Sequence, residues 1–322
     1  MKKFLISIDT EGDNLWKWQV GDIVTTENAK YLPRFQSLCE KYGFKPTYLT
    51  NYEMAMDSFF IEYFKKRTLA GQCEIGMHLH AWNSPPDYDL PVRSDVKPGA
   101  PYLIEYPEDI MHQKIEFMTD LIENTFDFHP ISHRAGRWAT DARYFDILNQ
   151  FGYRIDCSVT PGMDWRYAAG QSPDSAGSDY SHSPLYPYQI PNTEIIEIPV
   201  SIRENHRNRA GRDAGFRRRF KKYMEAKKGY GPLWLRPRPG ETNPEDLLYL
   251  TDVIANDSKS DYLMFMLHSS ELMPGGSPNF DTEEAVEKLY DTLNKLFEKI
   301  SKLYRGVTFR EYYKEMKQNG SI

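Results

Sequence analysis

Short apolar runs alternate along the chain with longer segments in which apolar residues recur every three or four positions. The short runs are typical of buried strands, whereas the spaced segments are typical of amphipathic helices. Strands are therefore predicted at 4–8, 45–50, 73–80, 130–134, 153–159, 195–200, 262–267 and 307–309. Helices are predicted over 28–42, 56–70, 107–126, 140–151, 243–254 and 281–303, with a last helix after the final strand.

Cap residues mark the start of two of these helices. Asn243 precedes Pro244, a pair typical of an N-cap and the first helical position. Asp281 is a second predicted N-cap, with Glu284 three residues later as its capping-box partner.

The alternation of strands with helices predicts parallel pairing through helical crossovers, which places the chain in the α/β class. Seven or eight such units favour a barrel, and in α/β barrels the chemistry lies at the carboxyl ends of the strands. Residues 160–194 lack periodicity, and long loops of this kind often belong to a binding site. We therefore predict one domain over residues 1–322 with an insertion at about 165–255.

The charge distribution narrows the choice of partners. The hydrophobic share of 40% is ordinary for a soluble protein, and the net charge of −6 argues against a nucleic-acid partner. Residues 203–238 depart from this average, because they hold 13 lysines and arginines but three acidic residues. Such a segment is either a solvated face or a clamp for an anionic group of the substrate.

The cellular location is predicted from three features. Cys39, Cys73 and Cys157 lie far apart, which fits a reducing compartment. The apolar run before Asp9 is too short for a signal peptide, and no apolar run is long enough to cross a bilayer. We expect a cytoplasmic protein without a membrane span, while the sequence gives no indication of the oligomeric state.

Candidate chemistry begins directly after the first strand. Asp9 and Glu11 lie two residues apart in extended chain, so their carboxylates point to the same side. Carboxylates this close repel each other unless a cation or an arginine lies between them. A polar turn that ends the strand is the alternative interpretation.

Three histidines follow two other strands. His78 and His80 share a face, and paired imidazoles suit a divalent ion such as zinc, cobalt, nickel or iron. His268 ends the most apolar strand, where a general acid or base would be useful. Structural roles in a loop or core are the alternative for each histidine. The other histidines, among them His133, are predicted to lie at the surface.

Taken in order, these segments resemble the motifs of the polysaccharide deacetylase (NodB-homology) family of carbohydrate esterases, in its divergent WalW-like branch. The resemblance spans roughly residues 3–160 and 261–312 and implies an irregular (β/α)7-type barrel. Its motifs are SIDTEGD at 7–13, GMHLHAW at 76–82, RAGRW at 134–138, DCSV at 156–159 and MLHSSEL at 266–272.

The resemblance implies a role for each candidate residue. Glu11, His78 and His80 would hold one divalent metal ion, with zinc preferred over cobalt, nickel, manganese or iron. Asp9 would be the catalytic base and His268 the general acid. Arg134 would hold the base, with Arg137 as a rival, and Asp156 would orient the acid, with Asp164 as a rival.

The implied function is the metal-dependent removal of an N-acyl group from an amino sugar of a glycan or glycan precursor. Two alternatives remain open. One is an amidohydrolase-like enzyme for small amides, although that class carries its H-x-H motif after the first strand. The other is a non-catalytic glycan-binding member of the family.

Overall fold

The computed structural model describes residues 1–19, 21–91, 100–205, 232–239 and 241–320. Its strands are β1 (Lys2–Thr10), β2 (Thr47–Thr50), β3 (Glu74–Leu79), β4 (Ser132–Ala135), β5 (Ile155–Asp156), β6 (Tyr188–Gln189), β7 (Ile196–Glu197), β8 (Ile202–Arg203), β9 (Leu233–Trp234), β10 (Tyr262–His268) and β11 (Tyr304–Gly306). Its α-helices are α1 (Leu32–Lys41), α2 (Tyr52–Met56), α3 (Ser58–Leu69), α4 (Glu108–Phe126), α5 (Ala142–Gln150), α6 (Pro244–Ala255), α7 (Glu283–Ser301) and α8 (Phe309–Gln318). Short 3₁₀ helices occupy Leu15–Lys17, Glu27–Tyr31, Leu103–Glu105, Gly136–Trp138 and Ser269–Leu272.

The main sheet has the strand order β10-β1-β2-β3-β4-β5-β7-β6, and β11 pairs with the first residues of β1. All pairs in this sheet are parallel except β6 with β7. The sheet curls into an irregular (β/α)7-type barrel, as the sequence predicted. The strands at the two ends of this order, β10 and β6, do not pair with each other. Residues next to the separate β8–β9 pair bond to β10 instead: the Leu235 carbonyl accepts from Met266 N at 3.2 Å, and the Ser201 hydroxyl accepts from Met264 N at 2.9 Å.

Alternate residues of the strands build two apolar layers. Leu5, Ile155 and Met264 belong to the cluster inside the barrel, whereas Phe4 and Phe265 pack outward with the helices. This alternation follows from the two-residue period of a strand. Polar side chains that share the inner face therefore meet inside the barrel, above its apolar floor.

Two predicted element starts were wrong. Thr282, not Asp281, caps α7 and accepts from Ala285 N. The last strand lies at Tyr304–Gly306, not at 307–309, because Thr308 accepts from Glu311 N in a capping box and Phe309 opens α8. The predicted cap at Asn243 is confirmed, since its side chain accepts from Asp246 N.

Within the described residues, no helix combines the length and apolar character needed to span a bilayer. Most of the basic segment at 203–238, including His206, lies outside the described residues. The division of the chain into one domain with an insertion stays a prediction.

Candidate active site

Strand register brings the candidate residues together at the carboxyl end of the sheet. Asp9 of β1 pairs with His268 of β10, and His78 of β3 pairs with Arg134 of β4. Glu11 follows β1 directly, and its backbone N–H donates to the Ser269 hydroxyl at 3.0 Å. The site therefore lies where the barrel architecture predicts chemistry.

Glu11, His78 and His80 form a buried cluster whose possible ligand atoms all lie within 4.8 Å of one another. His80 Nε2 is 3.1 Å and His78 Nε2 is 3.5 Å from Glu11 Oε2. The two Nε2 atoms are 2.9 Å apart. Ligands at zinc distances in a tetrahedral site would be separated by about 3.4 Å. The cluster thus fits a divalent ion with a small adjustment of its side chains.

The tautomer of His78 also suits a metal ligand. Its Nδ1 lies 2.9 Å from the Arg134 carbonyl oxygen, which can only accept a hydrogen bond. Nδ1 therefore carries a proton, which leaves Nε2 as the nitrogen that faces the cluster and can bind a metal ion once it is deprotonated, as is usual for histidine ligands. His80 Nδ1 is buried without a hydrogen-bond partner, and the His80 ring stacks on Trp82 with centroids 4.3 Å apart.

Charge interactions within the cluster oppose the effect of burial. Burial alone would raise the pKa of Glu11, but His268 and the hydrogen bonds from His78 and His80 hold this pKa well below its usual range. Burial and the neighbouring His78 lower the pKa of His80. Glu11 and His80 are therefore in the forms that bind metal ions. Burial would also lower the pKa of His78, but Asp9 and Glu11 instead raise it, so an ion that binds there must displace a proton from its Nε2.

Asp9 lies against Arg134 inside the barrel. The Arg134 guanidinium donates to Asp9 Oδ1, to the Ser7 hydroxyl at 2.8 Å and to the Cys157 carbonyl at 3.0 Å. Burial would raise the pKa of Asp9, but Arg134, helped by His78 and His268, holds it below its usual range. Asp9 is thus an ionised carboxylate next to the cluster of Glu11, His78 and His80. Arg137, the rival arginine, instead donates to the Ala100 carbonyl.

His268 faces Asp9 from the other side, with Nε2 3.7 Å from Asp9 Oδ2. Its Nδ1 lies 2.9 Å from Arg238 Nη2 and 3.3 Å from Glu271 Oε2. The Trp16 ring meets the imidazole edge-to-face at 5.1 Å. Contacts to Nδ1 and to Trp16 therefore hold the His268 ring, while its Nε2 faces Asp9.

Asp156 does not orient His268, contrary to the prediction. Its side chain points out of the barrel, where Oδ1 is 2.6 Å from His133 Nδ1. His133 is fully buried rather than at the surface, and its Nε2 is 2.8 Å from the Tyr144 hydroxyl. The rival Asp164 pairs with Arg166. The alternation of the strand explains the correction, because Cys157 and not Asp156 shares the inner face with Arg134.

Glycine at position 136 permits the close approach of two loops. A Cβ there would lie 2.6 Å from the Leu79 carbonyl oxygen and 2.9 Å from His80 Cδ2. The next two residues, Arg137 and Trp138, adopt left-handed backbone conformations with φ of 55° and 64°. Such strain in residues other than glycine concentrates at functional sites.

Tryptophans surround the mouth of the site. Trp138 lies over the Arg134 guanidinium at 5.0 Å and contacts Trp234, which also contacts Trp165. Next to His80, whose ring stacks on Trp82, Trp18 contacts Trp82. Broad aromatic faces next to buried polar groups suit a ligand with apolar faces and polar edges, as a sugar ring has.

Sequence reasoning missed two residues that contact His268. Glu271 follows it by three positions, in the segment HSSEL, and this spacing could have drawn attention to it. Arg238 lies 30 residues earlier in the predicted insertion, where no pattern marked it.

Comparison with solved structures gives the fold. A protein from Mycobacterium smegmatis assigned as a polysaccharide deacetylase matches over 98% of this chain and 91% of its own, with 12% identity and a TM-score of 0.53. A protein from Parabacteroides distasonis assigned as a glycoside hydrolase/deacetylase matches over 98% and 72%, with 11% identity and a TM-score of 0.62. The 4-alpha-glucanotransferase of Thermococcus litoralis matches over 97% of this chain but 40% of its own, with 15% identity and a TM-score of 0.53.

These likenesses show that the chain has the barrel fold of the polysaccharide deacetylases, which it shares with an α-glucan enzyme. No protein-family model matches the sequence. No curated protein matches it either. The resemblance drawn from the motifs is thus supported at the level of the fold, and the WalW-like branch stays a prediction.

Proposed function

We propose that this protein is a metal-dependent hydrolase that removes an N-acyl group, such as acetyl, from an amino sugar of a glycan or glycan precursor. The observation that carries the proposal is the buried cluster of Glu11, His78 and His80 beside an arginine-bound Asp9 and opposite His268. Metal ligands, a base and an acid thus converge at one strand end, as metal-assisted amide hydrolysis requires.

Each residue has a distinct part in the proposed reaction. A divalent ion held by Glu11, His78 and His80 would supply Lewis-acid polarisation and a more acidic water. Asp9, kept ionised by Arg134, accepts the proton of the attacking water. His268 gives a proton to the departing amine as the C–N bond breaks, so that the amine leaves as a neutral group. The products are a carboxylic acid and the free amino sugar.

The surroundings of the site support a carbohydrate substrate. The tryptophans at the mouth offer stacking surfaces, and the fold is that of proteins assigned as polysaccharide deacetylases. Arg236 and Arg238 reach the described part of the site from the basic segment. An anionic group on the sugar would be complementary to them, and binding that weakens sharply with added salt would support such a group.

Transfer or hydrolysis of α-glucan is the competing function, because an α-glucanotransferase shares the fold. Retaining glycosidases use two carboxyl groups about 5–5.5 Å apart, one as acid and one as nucleophile. Here Asp9 is bound by Arg134, and Glu11 contacts two imidazoles. Neither carboxylate has the surroundings of a protonated acid, so the site favours deacylation.

Acetate release and metal content test the proposed function. Purified protein, supplied with Zn²⁺, Co²⁺, Ni²⁺, Mn²⁺ or Fe²⁺ in turn, is incubated with N-acetylglucosamine oligomers and nucleotide-linked N-acetyl sugars, with α-glucan as the comparison substrate. We expect about one ion per chain and acetate release. Asp9→Asn and His268→Ala should each lower kcat at least about 100-fold, because each removes a proton-transfer group.

Exposed residues of the same types provide matched controls. Asp120→Asn on α4 and His182→Ala in the long loop change surface side chains and should leave kcat unchanged. Near wild-type turnover by Asp9→Asn or His268→Ala would refute the assigned roles. A protein that acquires no divalent ion would point to a glycan-binding module, and reducing-sugar release from α-glucan would point to a glycosidase.

A further inference from the structure

The backbone of Glu11 lies just past the end of the sheet. Strand β1 ends at Thr10, and its register with β10 ends at the pair of Asp9 and His268. Glu11 therefore has no ladder partner on β10, although its carboxylate must point in one direction to reach the two histidines of the cluster. Its buried N–H and C=O groups need partners elsewhere, because a buried backbone group without a hydrogen bond is costly.

Two buried side chains supply these partners. The Ser269 hydroxyl accepts from Glu11 N at 3.0 Å and donates to the Glu11 carbonyl oxygen at 2.9 Å. Asn28 Nδ2 donates to the same carbonyl oxygen at 2.8 Å and to the Ser269 hydroxyl at 2.9 Å. Neither side chain is exposed to solvent. Asn28 and Ser269 thus form an anchor for the backbone of Glu11.

The anchor leaves the Glu11 backbone a single arrangement. A serine hydroxyl has one proton and two lone pairs, and an asparagine nitrogen has two protons. Ser269 uses all of this capacity, and so does Asn28 Nδ2. Because the Glu11 carbonyl oxygen can only accept, the amide of Asn28 must turn its nitrogen toward it.

The other end of the Asn28 amide points to a role in the site. Asn28 Oδ1 is buried without a hydrogen-bond partner among the described residues. Such an atom lowers stability and is uncommon in native proteins. The amide is therefore explained by its nitrogen, which holds Glu11, and not by a gain in stability from both of its ends.

The anchor also joins separate parts of the barrel mouth. Ser269 directly follows His268, the proposed acid, at the end of β10. Asn28 lies in the short 3₁₀ helix that precedes α1. The loop between Glu11 and Asn28 carries Trp16, whose ring contacts His268. The position of Glu11 is thus tied to the strand that carries the proposed acid.

We propose that Asn28 and Ser269 are positioning residues that aim the Glu11 carboxylate at the two histidines of the cluster and so preorganise the metal site. This inference rests on the proposed function, in which Glu11, His78 and His80 hold a divalent ion. Asn28 and Ser269 act through the backbone of Glu11. Replacing a residue that orients a metal ligand typically weakens metal binding about 10- to 100-fold.

The first test needs no metal ion. Hydrogen exchange of the Glu11 amide, measured by NMR in the metal-free protein, reports whether its N–H is bonded to the Ser269 hydroxyl. We expect slow exchange in the wild type and about tenfold faster exchange in Ser269→Ala, because the bond is lost. Ser260→Ala is the matched control, since Ser260 is also buried and its hydroxyl donates to the Tyr262 carbonyl at the opposite end of β10.

The second test measures the affinity for Zn²⁺ by competition with a chelator. Ser269→Ala should bind Zn²⁺ at least about tenfold more weakly than the wild type, and Ser260→Ala should bind it equally well. Asn28→Asp keeps the shape of the side chain but turns an acceptor toward the Glu11 carbonyl. It should also weaken binding, although its negative charge alone would attract a cation. A merely structural role would lower the Tm of the metal-free protein without changing the affinity.

The possible outcomes separate this inference from the proposed function. Equal Zn²⁺ affinity of Ser269→Ala and wild type would overturn the positioning role and leave the proposed function intact. Slow exchange of the Glu11 amide in Ser269→Ala would overturn it as well. A wild-type protein that acquires no ion would overturn the proposed function and the inference with it. If Asn28→Asp does not fold, Ser269→Ala decides alone.

Discussion

The position of each residue at the site depends on the strand that carries it, and those strands can be predicted from the hydrophobic pattern of the sequence. Asp9 and His268 were found because each directly follows a predicted strand, and His78 because it lies near the end of one. Glu271 and Arg238 could not be assigned in this way, since their contacts depend on how separate segments cross the mouth of the barrel. The direction of a side chain was also predicted wrongly at one position. Asp156 points out of the barrel, whereas Cys157, the next residue of the strand, points into it.

Gly136 gives a prediction at the residue scale. In Gly136→Ala the new methyl group would lie 2.6 Å from the Leu79 carbonyl and 2.9 Å from the His80 ring, so the loop must move. We expect at least tenfold weaker metal binding, measured by competition with a chelator, because His80 shifts relative to Glu11 and His78. The control is Gly162→Ala, which strains the backbone at a φ of 82° but brings no atom within 4 Å of the added carbon, so it separates a general loss of stability from crowding at the site. Equal affinity of Gly136→Ala and wild type would contradict the prediction.

Helices and strands were predicted best where the hydrophobic period is strong. The long helices α4 and α7 and the apolar strands β1, β3 and β10 agree with their predicted positions. The errors lie at ends, where a single hydrogen bond from a cap decides the boundary, and in the short elements α2, β6, β8 and β9, which were not predicted. At residues 307–309 the β-branched and aromatic composition suggested a strand, but the capping box of Thr308 starts a helix there.

Thr308 gives a prediction at the element scale. Thr308→Ala removes the side-chain acceptor of Glu311 N at the start of α8 and should lower the free energy of unfolding by about 1 kcal/mol. Urea denaturation followed by circular dichroism measures this change. Thr292→Ala, in the interior of α7, serves as the comparison, because its hydroxyl bonds within its own helix. A change no larger than that of the comparison variant would contradict the assigned cap.

Metal binding should raise the stability of the whole molecule. An ion that binds the native state alone shifts the unfolding equilibrium toward that state. At a free Zn²⁺ concentration 100 times Kd, this effect amounts to about 2.7 kcal/mol. We expect Tm to rise with Zn²⁺ for the wild type and for the exposed Glu116→Gln, but much less for Glu11→Gln. An equal rise in all three proteins would mean that the ion binds elsewhere.

The rise in Tm should also depend on pH. In the protein without metal, burial would lower the pKa of His78, but Asp9 and a hydrogen bond to Glu11 raise it above its usual value. Protons therefore compete with the ion as the pH falls through this raised pKa, and the stabilisation by Zn²⁺ should decrease steadily as the solution becomes more acidic. Thermal unfolding with and without Zn²⁺ at pH 5 to 8 measures this, and stabilisation that persists at pH 5 would argue against histidine ligands.

The position of β1 between β2 and β10 has a consequence for synthesis on the ribosome. Asp9 is synthesised more than 250 residues before its strand neighbour His268. The first strand must therefore wait, one edge unpaired, until most of the chain has been made. Nascent chains that stop before residue 262 should carry Glu11, His78 and His80, the proposed metal ligands, without His268, the proposed acid.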